Sequence, residues 1–580
     1  MNHVADPLVT LAARLAPAFE AVAGRTGVDP VVRPSDRADA QANGALAVAK
    51  EIGKSPREVA DAVVAAANGL QGVCASIEVA GPGFLNIVFD NAFLGGELAK
   101  VAADDRLGVS LAQRTRKIVV DYSAPNVAKE MHVGHLRTTV IGDALVRMLE
   151  FVGHEVIREN HIGDWGTPFG MLIEHLLDLG ETEAADHLSL GDLDGFYKQA
   201  RAKFDASDEF KERARARVVL LQGGDGETSR LWKLLVGLST RHFNAVYDRL
   251  GVLLTDHDLM GESAYNDLLP QVIERLDKLG LLQESDGADV VFPPGYTNRD
   301  GDPLPLIVQK GKGGFNYATS DLACVIDRVE RLGADLLLYV VGAPQAQHLS
   351  MVFDVARMAG WLSEPSEAVH VAFGSVLGSD RKMLKSRSGE PLKFIDLLDE
   401  SLTRAEAAIA EKNPDLAVED RLAVARMIGI GAVKYADLST DRVRDYVFDW
   451  DRMLSFDGNT APYLQYAHAR ICSIFRRAEV DRTSLRSIVP VIAEPQEKVL
   501  ALAALGFDSA VADTLDKYSP HRLCTYLYDL ATAFTSFYEH CPVLKADDEV
   551  RRSRLALCDL TARVMERGLG LLGIDSPEQM

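Results

Sequence analysis

The stretch that most constrains this chain is His132-Val133-Gly134-His135, because of what stands on either side of it. Before it, RKIVVDYS at residues 116–123 has an apolar, β-branched core, the pattern of a buried parallel strand. After it, Leu136, Val140, Ile141, Leu145, Met148, Leu149 and Val152 recur at helical spacing. Both imidazoles therefore fall where a first strand hands over to a first helix. In an open α/β sheet that is the ligand edge, and the helix N-terminus there favours an anion.

A chain of 580 residues exceeds what one core can organise, and three or four domains are expected. Residues 1–112 read as a separate small α+β unit. Two alanine-rich helical stretches, LVTLAARLAPAFEAVAG and GALAVAKEIGKSPREVADAVVAAAN, precede the alternating strands CASIEVAG and FLNIVFD, with Gly81-Pro82-Gly83 as the turn. Residues 113–395 read as an α/β domain interrupted by a polar helical insertion at about 180–300. Its second half runs helix DLACVIDRVERLG, strand DLLLYVVGA, helix HLSMVFDVARMAGW and strand AVHVAFGSVL. Two such halves suggest a split doubly wound sheet with its site between them. Residues 396–455 read as a connecting helical region and 456–580 as an all-α bundle, with no evident strand after about 395.

Composition excludes more than it assigns. Six scattered cysteines without a CxxC pair argue against a disulfide framework and a structural zinc site. The longest apolar runs are too short to span a bilayer, and MNHVADPLVT lacks the basic start and apolar core of a secretion signal, so a cytoplasmic protein is expected. A net charge of −22 argues against a wholesale nucleic-acid coat but leaves room for local basic strips on a folded RNA.

Imidazoles three apart at a helix start can donate hydrogen bonds to a phosphate, and Gly134 would leave room for a nucleotide base against the backbone. A metal pair is the alternative, but no third ligand is evident and no metal site is expected. Roughly 250 residues further on, Lys382-Met383-Leu384-Lys385-Ser386 follows a strand in a polar loop. Two lysines and a serine there suit a triphosphate whose charge moves onto departing pyrophosphate, although alone they would read as a basic surface loop.

Together these stretches resemble the HIGH and KMSKS motifs of class I aminoacyl-tRNA synthetases. SAPNVAKEMHVGHLRTTVIGDAL, HIGDWGTPFG, FNYATSDLA, FDGNTAPYLQYAHAR and LGLLGIDSPEQM are more specific, and over essentially the whole chain resemble arginyl-tRNA synthetase. The resemblance implies a Rossmann-type split catalytic domain, an N-terminal α+β domain on the tRNA elbow and a C-terminal anticodon-binding bundle. It implies ATP-dependent ligation of L-arginine to its tRNA through arginyl adenylate, with Mg2+ accompanying ATP. His132 and His135 would stabilise charge on the α-phosphate, Lys382 and Lys385 would attend pyrophosphate, and Lys129 would support them. Gly134, Met383 and Ser386 would complete the ATP site. Tyr317, Asp321 and Gln345 would hold the guanidinium; Asp121, Ser123, Asn126 and Lys129 would meet the amino and carboxylate end. Without the resemblance, Asp321 would read as a helix cap or first-turn carboxylate.

Guanidinium is a planar five-donor fork, and a buried carboxylate discriminates strongly against uncharged competitors, so the small insertion need hold no editing domain. Two departures from the family pattern stand out. Pro168 replaces a usual glutamine, and Lys385 is retained where many members lose it. For RNA, Tyr463, Gln465, Tyr466, His468 and Arg470 lie on one helix, where aromatic and arginine side chains can stack on splayed anticodon bases. Helix core is the plainer role for at least half of the tyrosines. The family's habits further imply a monomer, bound tRNA before activation, and no membrane or DNA partner. A duplicate synthetase serving another pathway and a catalytically dead RNA-binding relative are the alternatives.

Overall fold

The computed structural model describes residues 5–180, 193–311, 314–384 and 392–580, and divides them between two compact units. One unit comprises residues 112–412 and 428–454, the other 1–111, 413–427 and 455–580.

The first unit is built on a parallel sheet of β1 (Lys117–Asp121), β2 (Glu155–Glu159), β3 (Leu336–Tyr339) and β4 (Glu367–His370), in the order β4-β3-β1-β2. Register pairs Asp121 with Glu159 on one side and with Tyr339 on the other. Helix α1 (Leu136–Phe151) leads from β1 towards β2, and α3 (Ala346–Met358) from β3 towards β4. The two crossovers thus depart in opposite directions along the sheet, and β1/β3 is the switch point where such sheets bind ligands. Each crossover opens with a 3₁₀ turn, Val133–His135 and Ala343–Gln345. Helix α2 (Tyr317–Ile326) runs on into a π-turn at Asp327–Arg331, and its Leu322, Cys324 and Ile326 share a core with Val119, Leu337 and Val272.

The helical insertion needs correcting at its C-terminal end. Helices Leu193–Ala206, Asp208–Gln222 and Gly226–Leu250 are followed by an antiparallel sheet of Gln283–Ser285, Ala288–Val291, Leu306–Lys310 and Gly314–Phe315. These strands are short and only partly alternating, so a periodicity search passes over them. The single strand read in AVHVAFGSVL is also two: β4 ends at His370, and Val376–Leu377 pairs instead with Tyr446–Val447. That last strand lies within the stretch expected to be wholly helical.

In the second unit, the N-terminal module has the strand order β-sheet Val32–Pro34, Ala40–Ala42, Phe84–Phe89, Cys74–Ala80. Its long second helical stretch breaks at Gly53, and Ser55 with Glu58 forms a capping box for a new helix, Pro56–Ala66. The module does not stand apart. Asn91 donates to the Ile492 carbonyl, Lys498 pairs with Asp39 at 2.6 Å, and Arg563 donates to the Ala102 carbonyl. The first of these spans 401 residues, a separation that local sequence patterns do not reveal.

Helix α1 lies so close on β1 that a Cβ at Gly142 would stand 2.4 Å from Cβ and Cγ of Tyr122, whose ring is buried. Gly142→Ala should therefore destabilise the α/β unit by about 1–3 kcal/mol through overpacking. A lowered urea midpoint in the first unfolding transition would show it; an unchanged midpoint would mean the helix shifts freely.

Candidate active site

Between β1 and the histidines the backbone is strained and pinned. Ser123, Ala124 and Ala128 have φ of 74°, 48° and 59°, values that non-glycine residues adopt at a cost of about 1–3 kcal/mol each. Side chains from other elements hold them: Thr138 Oγ1 accepts from the Ser123 amide, Asn160 Oδ1 from Ala124, and Ser239 Oγ from Ala128. The outcome is that Asn126 and Lys129 are exposed, with Lys129 Nζ 4.6 Å from the centre of the Tyr197 ring. Ser123 is different. It is 2 % exposed, and its hydroxyl bonds Tyr247 Oη at 2.7 Å and accepts from Thr139, so its side chain serves the fold.

His132 Nδ1 accepts from the Gly134 amide at 3.0 Å, and His135 Nδ1 accepts from the His132 amide at 3.2 Å. With Nδ1 an acceptor in each ring, the proton of the neutral imidazole belongs on Nε2. Burial lowers the pKa of both rings, that of His135 to about 4 with His132 adding to the effect. The pair thus offers neutral Nε2–H donors to a polyanion. Gly134 is required for a reason other than ligand space alone. A Cβ there would stand 2.6 Å from Cε1 of His132, so the vacated room is filled by that ring.

His132 and Gly134 line a cavity of about 180 Å³ together with Arg137, Pro344, Phe373 and Met383. It joins the heads of both crossovers to the segment that leads into the lysine loop. Gly378 N donates to Lys382 O and Lys382 N to Asp380 Oδ1, and this turn leaves Lys382 and Met383 exposed. Lys385 and Ser386 lie outside the described residues. Arg137, 1 % exposed, pairs with Asp437 at 3.2 Å, donates to the Arg444 carbonyl at 2.8 Å and stands over the Tyr446 ring.

A second group of polar side chains gathers where α2 and α3 begin. Tyr317 and Asp321 are four apart on α2, hence on one face. His348, one turn beyond Gln345, bonds Asp321 Oδ2 through Nε2 at 2.5 Å, which brings the starts of both helices to one place. Tyr317 is 72 % exposed and Gln345 is exposed, as residues at a pocket mouth would be. Glu262 belongs to the same group. Burial pushes its carboxyl up to about 7, with Asp164 and Asp321 raising it further against His161. Deeper in the fold, Arg328 ties Asp121 at 2.7 Å to Glu159 at 2.6 Å, so one oxygen of Asp121 is already engaged. Among the described residues no group of three or more His, Cys, Asp or Glu is placed to hold a metal.

Of the residues expected to touch RNA, Gln465 is a correction. It is fully buried and donates to the Met427 and Asp575 carbonyls, while His468 is buried against the Pro577 carbonyl. Tyr466 and Arg470 remain accessible, the guanidinium lying 4.9 Å from the Tyr466 ring centre and 5.7 Å from that of Tyr538. Tyr463 is half-buried beside Tyr528.

Sequence reasoning missed Glu262, His348 and Arg137. Arg137 left a trace, a cation at the start of a largely apolar helix. Glu262, in the aperiodic stretch MGESAY, left none.

A cavity at the switch point of a split parallel sheet, with paired histidines at its head, is the catalytic architecture of a class I aminoacyl-tRNA synthetase. The family model described as "tRNA synthetases class I (R), catalytic domain" matches residues 97–450. "Arginyl tRNA synthetase N terminal domain" matches 10–89 and "DALR anticodon binding domain" 464–580. An arginine–tRNA ligase of Thermobifida fusca is 54 % identical over 580 residues, all of both chains. Arginyl-tRNA synthetase from Plasmodium falciparum has a similar structure, with a TM-score of 0.84 at 27 % identity over 99 % of each chain. For the Thermus thermophilus arginyl-tRNA synthetase the TM-score is 0.81 at 25 % identity, over 99 % of this chain and 100 % of that one. The chain belongs to the arginyl-tRNA synthetase family.

Imidazole ¹⁵N NMR should find His132 and His135 neutral with the proton on Nε2 at pH 7, and His135 titrating only near pH 4. An imidazolium signal from either ring at pH 7 would overturn the hydrogen-bond assignment.

Proposed function

We propose that this chain ligates L-arginine to its cognate tRNA for translation, forming arginyl adenylate from arginine and ATP and then esterifying the terminal adenosine of the tRNA. What carries this function, beside membership of the family, is the carboxylate pocket at the start of α2 and α3. Asp321 and Glu262 lie within electrostatic reach of each other, part-buried, and Tyr317 and Gln345 at the starts of the two crossover helices are exposed. Two carboxylates of like charge call for a cation, and a planar fork with five donors can satisfy both.

The arginine carboxylate attacks the α-phosphate, the P–O bond to pyrophosphate breaks, and pyrophosphate leaves. ATP occupies the cavity beside His132, Gly134 and Met383. The Nε2–H donors of His132 and His135 hydrogen-bond the phosphate oxygens as charge builds, and Lys382 and Lys385 neutralise departing pyrophosphate. Lys129 supports them, while Ser386 completes the loop's contact with the nucleotide. Asp121 and Asn126 receive the substrate's amino end, Asp121 through the oxygen that Arg328 leaves open. Ser123 acts on that end only by fixing the strained turn that presents Asn126. Magnesium enters as part of the ATP substrate, on its phosphates. A ribose hydroxyl then attacks the adenylate carbonyl and AMP leaves.

Tyr466 and Arg470, with Tyr463 as a packing neighbour, form the part of the helical region offered to anticodon bases, and the N-terminal module contacts the tRNA elbow. Bound tRNA precedes arginine activation. The enzyme works as a cytoplasmic monomer, without a membrane or DNA partner; among the described residues no helix is long and apolar enough to cross a membrane.

With total tRNA from the same organism, ATP and magnesium, arginine alone among the twenty amino acids should be charged, and Asp321→Ala should abolish it. Tight tRNA binding without any charging would favour a binding-only relative instead. Because Glu262 is neutral below about pH 7 and charged above it, the KM for arginine should fall about tenfold between pH 6 and pH 8. Glu262→Gln should flatten that profile; a variant that keeps it would assign the titration to another group.

A further inference from the structure

Asp321 is partly exposed and its Oδ2 is bonded by His348 Nε2 at 2.5 Å, while among the described residues no hydrogen bond reaches Oδ1. We infer that His348 is a positioning residue for substrate selection, pinning one oxygen of Asp321 so that only the other faces the guanidinium. This rests on the arginine pocket proposed above and adds to it the means by which the pocket tells one cation from another.

A carboxylate with two free oxygens can rotate to meet an ammonium or a guanidinium equally well. Pinned by a ring on α3, Asp321 presents one oxygen in a fixed direction, and the second acceptor must come from Glu262 on a separate turn, Glu262–Tyr265. Two acceptors held on different elements suit a planar fork whose donors diverge. A compact ammonium can approach one of them well, and the other then stays unpaired. The charged group that faces His348 is Asp321 on α2; Asp321 in turn faces Glu262, which has His161 and Asp164 beside it. Neutral His348 suffices, because Nε2–H is all the contact requires.

The test is steady-state charging of the full chain with tRNA and ATP at pH 8, with lysine as a competing inhibitor. His348→Leu removes the donor at similar bulk, and His348→Asn retains one. The expected result for His348→Leu is a KM for arginine raised about tenfold, kcat within about twofold, and lysine inhibition strengthened relative to arginine. His348→Asn should recover most of the KM. An unchanged KM in His348→Leu, or equal KM values for the two variants, overturns the inference. So does a loss confined to kcat. If the wild type charges no arginine, the pocket assignment fails instead; if His348→Leu does not fold, the KM and lysine inhibition of His348→Asn against wild type decide alone, and a tenfold rise there also overturns the inference.

Discussion

The catalytic unit depends on one buried guanidinium. Arg137 sits two residues past the paired histidines' turn, and its contacts with Asp437, the Arg444 carbonyl and the Tyr446 ring reach about 300 residues along the chain. Tyr446–Val447 pairs with Val376–Leu377, and that strand runs straight into the turn that presents Lys382. A charge so buried is tolerable only when paired and hydrogen-bonded, and removing one partner of such a pair costs about 3–5 kcal/mol. The ion pair therefore registers the histidine end of the nucleotide cavity against the lysine end. Shape complementarity between helices would not do this as well, because a one-turn slip leaves apolar contacts nearly unchanged but strands a charge.

Arg328 plays a comparable structural part around Asp121. It closes the C-terminal end of α2 against Asp121 and Glu159 at the ends of adjacent strands. Asp321 lies midway along α2. One continuous element thus carries both Asp321 and the arginine that engages Asp121, so the helix sets the spacing between these two carboxylates. Arg328 itself lies in the π-turn at Asp327–Arg331.

Period and spacing made the strand, the histidine turn and the α1 helix legible, because buried parallel strands and amphipathic helices write themselves into local order. The lysine loop and Asp321 became legible through resemblance, since their chemistry is ordinary taken alone. Other features were hidden for physical reasons. Val376–Leu377 and Tyr446–Val447 are too short to show a period and exist by pairing with each other. Gln465 looked like a polar contact on a helix; its amide instead satisfies two buried carbonyls, one of them 110 residues away. Glu262 gains its role from the carboxylates it lies near, and nothing in MGESAY records that neighbourhood.

Selecting arginine inside a protein rich in its own arginines raises a problem of internal competition. Arg137 and Arg328 are each met by carboxylates of their own, so neither is free to occupy the substrate pocket. The pocket carboxylates differ from those partners in lacking an arginine or lysine bonded to them among the described residues. That deficit is what makes the site attractive to a cation, and it has a cost that Glu262 reveals: with its carboxyl near 7, it can take a proton and go neutral. A neutral Glu262 would accept an uncharged analogue more readily than a charged one would. In the proposed pocket, discrimination then rests chiefly on Asp321, because an uncharged ligand leaves its carboxylate unpaired. The two carboxylates are not equivalent. Glu262 can take a proton near neutral pH, and Asp321 is the one bonded by a ring from α3.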